Sequence, residues 1–115
     1  MNNEYDLEER TGRFGVNVIR FCKSVKQDII NKPIISQLIG SSTSIGANYM
    51  EANAASSKKD FKNKIYICKK EAQETMHWIK MIAECEQDKK EQARILWKET
   101  QELTFIFGKI TSSMK

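Results

Sequence analysis

The sequence predicts an all-α protein, a single domain over residues 1–115 folded as an up-down-up-down antiparallel four-helix bundle. Three observations carry that expectation. Pro occurs once and Gly five times in 115 residues, a composition poor in helix breakers. Apolar residues recur at the period of a helix face through four segments. The connections between those segments are short, and short connections make consecutive helices antiparallel neighbours. A chain of this length forms one domain with room for a core.

The first helix is expected from Asp6 to Val25. Leu7, Phe14, Val18, Phe21 and Val25 share one side with Thr11 and Cys22. Asp6, Glu8 and Glu9 near its start and Lys23 and Lys26 near its end suit the helix dipole. Gly12 and Gly15 each weaken it by up to ~1 kcal/mol, so they predict a close helix contact or a local irregularity.

Lys26 to Lys32 makes the first connection, and Pro33 is expected at the first position of the second helix, where a missing N–H costs nothing. The stretch from Pro33 to Ser57 holds one charged residue, Glu51, in a chain that is 30% charged. Protein on most sides explains such a helix, because an ionised side chain loses its hydration there. Ile34, Leu38, Ile45, Tyr49 and Ala52 fall on one face, with Ile35 and Ser42 beside them. Ser36, Gly40, Thr43, Ala47 and Ala54 form a strip of small residues that admits another backbone. Gln37, Ser41, Ser44, Asn48 and Glu51 form a hydrogen-bonding edge. This is the central helix, with two packing partners.

Ser57-Lys58-Lys59-Asp60 has capping-box spacing and opens a third helix that runs to about Glu86. Its core stripe is Phe61, Ile65, Cys68, Ala72, Ile79 and Ala83, flanked by Thr75 and Met76. Ile67, Trp78 and Cys85 lie on another side. Glu86-Gln87-Asp88 makes the last turn, and the fourth helix fills Lys89 to about Thr111. Leu96, Leu103, Phe107 and Ile110 mark its buried side, with Ala93, Thr100 and Thr104 between them. Trp97, Phe105 and Ile106 spread its apolar surface wider than one stripe.

The net charge is +4, and its placement matters more than its size. Between Ser57 and Lys70, six lysines stand against Asp60 alone, a local balance of +5, so the rest of the chain sums to −1. That is the footprint of a phosphate-bearing or acidic partner, although a solvated lysine face is the commoner meaning of such a run. Lys58, Lys62 and Lys69 project on one face of the third helix, with Lys59, Lys70, Tyr66 and His77 to one side. The segment lacks the arginines that read base edges, so any binding there is expected to be weakly sequence-specific. Cys22, Cys68 and Cys85 are far apart and read as reduced thiols packed in the bundle. No apolar run approaches the ~18 residues of a membrane span, and the polar, acidic N-terminus is unlike a signal peptide, so the protein is expected in the cytoplasm.

No catalytic set stands out. Glu74-Thr75-Met76-His77 has the E-x-x-H spacing of di-iron bundles, but His77 is the one histidine and such sites need two motifs. No metal or cofactor is expected. The serines of the second helix have no histidine to activate them, and no phosphate-binding glycine loop occurs. Glu71 and Glu74 read as partners of lysines one turn away, such as Lys70. Asn48 and Glu51 are expected to be structural, bonding across to a neighbouring helix.

The second helix also carries a resemblance. Gln37-Leu38-Ile39, Thr43-Ser44-Ile45-Gly46-Ala47-Asn48-Tyr49 and Glu51-Ala52 resemble the signature of the bacterial four helix bundle proteins encoded in intervening sequences of 23S rRNA genes. Phe61, Glu71-Ala72 and Glu74-Thr75 leading to Trp78 continue the pattern, which spans nearly the whole chain. The chain departs from it at Gly40, where many relatives have Arg, and at Ser42, where they have Gly. The resemblance implies a ring-like homo-oligomer, a pentamer in known relatives. It also implies kinship with the accessory variability protein of diversity-generating retroelements, which binds a reverse transcriptase and nucleic acid.

Two functions are therefore expected, neither of them enzymatic. One is an oligomer that binds RNA or DNA through Lys58, Lys59, Lys62, Lys69 and Lys70. The other is an oligomeric adaptor for a protein partner, with the lysines serving solubility alone. In both, Ile67, Trp78 and Trp97 are the expected subunit contacts.

Overall fold

The computed structural model of the chain describes residues 7–114. Four α-helices follow in order: α1 (Leu7–Lys23), α2 (Asn31–Asn53), α3 (Lys58–Cys85) and α4 (Lys90–Ser112), with a single 3-10 turn, Gln87–Lys89, leading into the last. The start assigned to the first helix at Asp6 lies outside the described residues. At 1.5 Å per residue the 28 residues of α3 account for most of the 44 Å long axis.

Contacts between helices reveal their directions. Gly15 lies against Thr43, and Gly46 against Thr11 and Gly12. Lys64 reaches Glu51, the Cys68 thiol reaches the Ile45 carbonyl, and Thr75 reaches Ser41. Lys62 bonds to Met114, Lys69 lies beside Gly108, and Met76 meets Thr104. Along each pair of helices one number rises as the other falls, so consecutive helices are antiparallel. α2 lies between α1 and α3, α3 between α2 and α4, and α4 returns to α1.

The core follows the expected stripes. Leu7, Phe14, Val18, Phe21, Cys22 and Val25 are buried on or just beyond α1, with Leu38, Ile45 and Ala52 on α2. α3 contributes Ile65, Cys68, Ala72 and Ile79, and α4 contributes Leu96, Leu103 and Phe107. Ile82, absent from the expected stripe, is also fully buried. On α2 the buried isoleucine of the first turns is Ile35, while Ile34 is partly covered.

The helix ends differ from expectation in two places. α1 stops at Lys23, and a turn closed by Ser24 N–H to the Phe21 carbonyl carries the chain to Val25. α2 begins at Asn31, so Pro33 is its third residue, still within the first turn, where N–H groups lack helical partners. Asp28 supplies the cap there: its Oδ1 accepts from the backbone N–H groups of Ile30 at 3.0 Å and Asn31 at 2.8 Å. Asn31, buried, donates from its side chain to the Lys26 carbonyl and ties the loop down. The expected cap of α3 forms, with Ser57 Oγ accepting from Asp60 N–H at 3.0 Å.

The small residues divide. Gly46 lies where a Cβ would touch Thr11 Oγ1 at 3.4 Å and the Gly12 nitrogen at 3.5 Å, so it sets the close approach of α1 and α2. Gly40 and Gly12 face open space.

Candidate nucleic-acid interface

The lysine segment forms the first half of α3, and packing divides it into two groups. Lys58, Lys59 and Lys70 are exposed. Lys62 and Lys69 are half-buried and lean towards α4, where Lys62 Nζ donates to the Met114 carbonyl at 2.8 Å. Lys64 turns the other way, to Glu51 of α2, at 2.7 Å. Among the described residues Lys64 is the one member of the segment that pairs with a carboxylate. The remaining ion pairs there involve Arg10 and Arg13.

The basic side continues beyond the segment along the seam between α3 and α4. Lys80 Nζ stands 5.5 Å from the centre of the Trp97 ring, and Lys109 Nζ stands 5.5 Å from that of Phe105. Lys90 and Arg94 line a pocket with Lys80. A run-by-run count of charge misses these residues, because Lys80, Arg94 and Lys109 stand singly and the Lys89-Lys90 pair lies between Asp88 and Glu91. Their helical positions beside the α3–α4 contact are the signal that could have found them. Tyr66 and Phe105, half or more exposed, are the aromatic side chains most accessible on these helices.

The other sequence-derived residues lie elsewhere. Ile67 is 38% exposed on the outside of α3, whereas Trp78 and Trp97 pack largely against the core. Trp78 Nε1 donates to Glu74 Oε2 at 3.2 Å, and the His77 ring meets Trp78 edge-on at 4.7 Å. Glu74 therefore engages an indole and, among the described residues, neither it nor Glu71 pairs with a lysine. Asn48 donates to the Ser44 carbonyl within α2, not to a neighbouring helix. Glu51 does bridge to α3, but its side chain is 56% exposed, so solvent screens the pair and it contributes little.

Buried side-chain bonds between α2 and α3 come instead from Thr75 with Ser41 and from the Cys68 thiol, which donates to the Ile45 carbonyl. The Thr75 hydroxyl lies 2.9 Å from Ser41 Oγ and 2.8 Å from the Glu71 carbonyl, with one proton to share between them. Desolvation raises the Glu71 carboxyl pKa, helped by the charge of Glu74 and opposed by Lys70. No group of three or more metal-ligating side chains occurs among the described residues. None of their helices is long and apolar enough to cross a membrane.

These features define a class: an all-α bundle of four helices. Residues 4–109 match the family described as 23S rRNA-intervening sequence protein. The fold is similar to the crystal structure of a protein of unknown function from the S23 ribosomal protein family of Bacteroides thetaiotaomicron. The two share 30% sequence identity and a TM-score of 0.78, over 90% of this chain and 96% of that one. No curated protein matches the chain. The chain belongs to the 23S rRNA-intervening sequence protein family.

Proposed function

We propose that this protein is a non-enzymatic, cytoplasmic homo-oligomer that binds RNA or DNA with little sequence preference. The contact surface is Lys58, Lys59, Lys62, Lys69 and Lys70 of α3, extended across the seam by α4. The observation that carries this reading is electrostatic. All five lysines lack a carboxylate partner among the described residues. Unpaired cations gathered on one side attract a polyanion and release its counterions on binding. Oligomerisation, to five copies as the resemblance implies, would repeat a weak site around a ring and multiply its affinity for one spanning strand. Ile67, Ile95 and Phe105, all exposed, supply apolar surface for subunit contact along with the partly buried Trp78.

A titration of labelled single-stranded RNA tests the reading. Affinity should fall steeply between ~50 and ~200 mM salt. The combined Lys58→Gln, Lys62→Gln and Lys69→Gln variant should lower the logarithmic salt slope by about 3, or about 1 for each phosphate left without its lysine. An unchanged slope would move the surface elsewhere, with Arg20 the next candidate. Absence of binding at low salt would defeat the reading in favour of a protein adaptor. That alternative has its own support in Ile29 and Ile30, 85% and 62% exposed at the loop leading into α2.

A further inference from the structure

A second feature of the cationic seam is concave. Near the end of α3 and the start of α4, Ile79, Lys80, Ala83, Lys90, Ala93, Arg94 and Trp97 enclose a pocket of about 240 Å³. Lys90, Ala93, Arg94 and Trp97 form one face of the first two turns of α4. The pocket is smaller than the ~300–1,000 Å³ of a site for a drug-sized molecule. It has room for one ring system, not for several.

Its chemistry is two-sided. Ile79, Ala83, Ala93 and the Trp97 ring offer an apolar floor. Lys80, Lys90 and Arg94 supply three cations, and no acid lines the walls; Glu84, Asp88, Glu91 and Glu99, the acids nearest in sequence, are all outside them. Lys80 already rests against the Trp97 ring, so charge and aromatic surface are adjacent. The Trp97 indole N–H is buried and has no hydrogen-bond partner among the described residues. Arg94 adds a planar fork suited to phosphate oxygens, which the lysine segment itself lacks.

We infer that this pocket seats a single nucleotide unit, its phosphate held by Lys80, Lys90 and Arg94 and its base against the apolar floor beside Trp97. The inference rests on the nucleic-acid reading above and deepens it. Lys58 and Lys80 are separated by about 33 Å along α3 at 1.5 Å per residue, roughly one turn of a duplex. A strand tracking the lysines thus arrives at the pocket, which adds stacking to a contact that is otherwise electrostatic. Stacking on an aromatic ring accepts any base, in keeping with weak sequence preference. The same chemistry also suits a free nucleoside monophosphate, and experiment can separate the two sources.

The test uses the full chain, a labelled ten-nucleotide RNA and adenosine monophosphate, with intrinsic tryptophan fluorescence as the readout. Trp97→Phe identifies which part of the signal belongs to Trp97, and thermal melting confirms that each variant is folded. RNA is expected to quench the parent, and the quench should disappear in Trp97→Phe. The double variant Lys90→Gln with Arg94→Gln should lower the salt slope by about 1, for the one phosphate the pocket holds. Quenching by the monophosphate without RNA binding would keep the pocket as a free-nucleotide site while defeating the nucleic-acid reading. Salt-dependent RNA binding with no Trp97 quench and no effect of the double variant would overturn the pocket and leave the lysine surface intact. Failure of both ligands to quench Trp97 would overturn the inference outright.

Discussion

Arg10 of α1 and Glu99 of α4, 89 residues apart, are joined by a two-pronged ion pair. Nε and one terminal nitrogen of the guanidinium each lie 2.8 Å from a carboxylate oxygen. Glu102 adds a third contact at 2.9 Å, and the Arg10 side chain is only 15% exposed. The pair joins the first helix to the last, closing the ring of helices where no loop connects them. Of the three arginines on α1, Arg10 and Arg13 are thus both held by carboxylates, Arg13 by Glu9, and Arg20 has no such partner among the described residues.

Arg10→Ala is expected to destabilise the fold by about 1–3 kcal/mol, because a partly buried carboxylate loses its partner. Arg10→Lys should recover only part of this, since an ammonium cannot make the fork. Urea unfolding checks both. A variant as stable as the parent would show that α1 is held by apolar packing alone.

Gly40 sits in the middle of α2, and a Cβ there would meet nothing within 4 Å. Gly40→Ala should therefore stabilise the protein by about 0.5–1 kcal/mol, through helix propensity and a less flexible unfolded chain. Gly46→Ala is the contrast, because its methyl would meet Thr11 and Gly12 at 3.4–3.5 Å, with no free space around it. Equal gains at both positions would contradict the close approach of α1 and α2.

The cysteines should differ in reactivity. Burial pushes the Cys22 thiol up to about 11 and the Cys68 thiol up to about 12, whereas Cys85 is exposed. The thiolate is the reactive species. A thiol reagent at mildly alkaline pH should label Cys85 quickly and the other two only after denaturation. Rapid labelling of all three would contradict the packing described, and protection of all three would mean that a second chain covers the end of α3.

Glu71 makes stability depend on pH. Its raised pKa means that the folded chain holds the proton more firmly than the unfolded one. Stability contributed by this group therefore falls as pH rises from the ordinary carboxylate range, near ~4.3, through the raised folded value. Glu71→Gln cannot ionise, so it should melt above the parent at neutral pH and lose that advantage in acid. A variant that melts below the parent at neutral pH would mean that the Glu71 charge has a partner worth more than its desolvation.

Much of the fold was legible because it is local. The α1 stripe from Leu7 to Val25 and the Ser57 cap depend on residues within a turn or two of one another, and period and cap chemistry report them directly. The near absence of charge in α2 likewise signalled a helix with neighbours on two sides. Boundaries were less legible where a loop side chain decided them: Asp28 caps two backbone N–H groups ahead of Pro33, so α2 begins before its proline. Ile82 falls outside the expected stripe because α3 lies between α2 and α4 and buries a wider face than one partner requires.

The candidate site divides the same way. Six lysines in fourteen residues are visible in any reading of the chain. Which of them stand free is not, since the turn of Lys64 to Glu51 and of Lys62 to Met114 depends on which helix lies alongside. Lys80, Lys90, Arg94 and Trp97 become one pocket only when α3 and α4 run antiparallel across the 3-10 turn, and Arg10 finds Glu99 only when the bundle closes. Local sequence determines helices and their buried faces because those depend on backbone bonds four residues apart. Pairings between faces depend on packing across the whole chain, and that is decided by the tertiary structure.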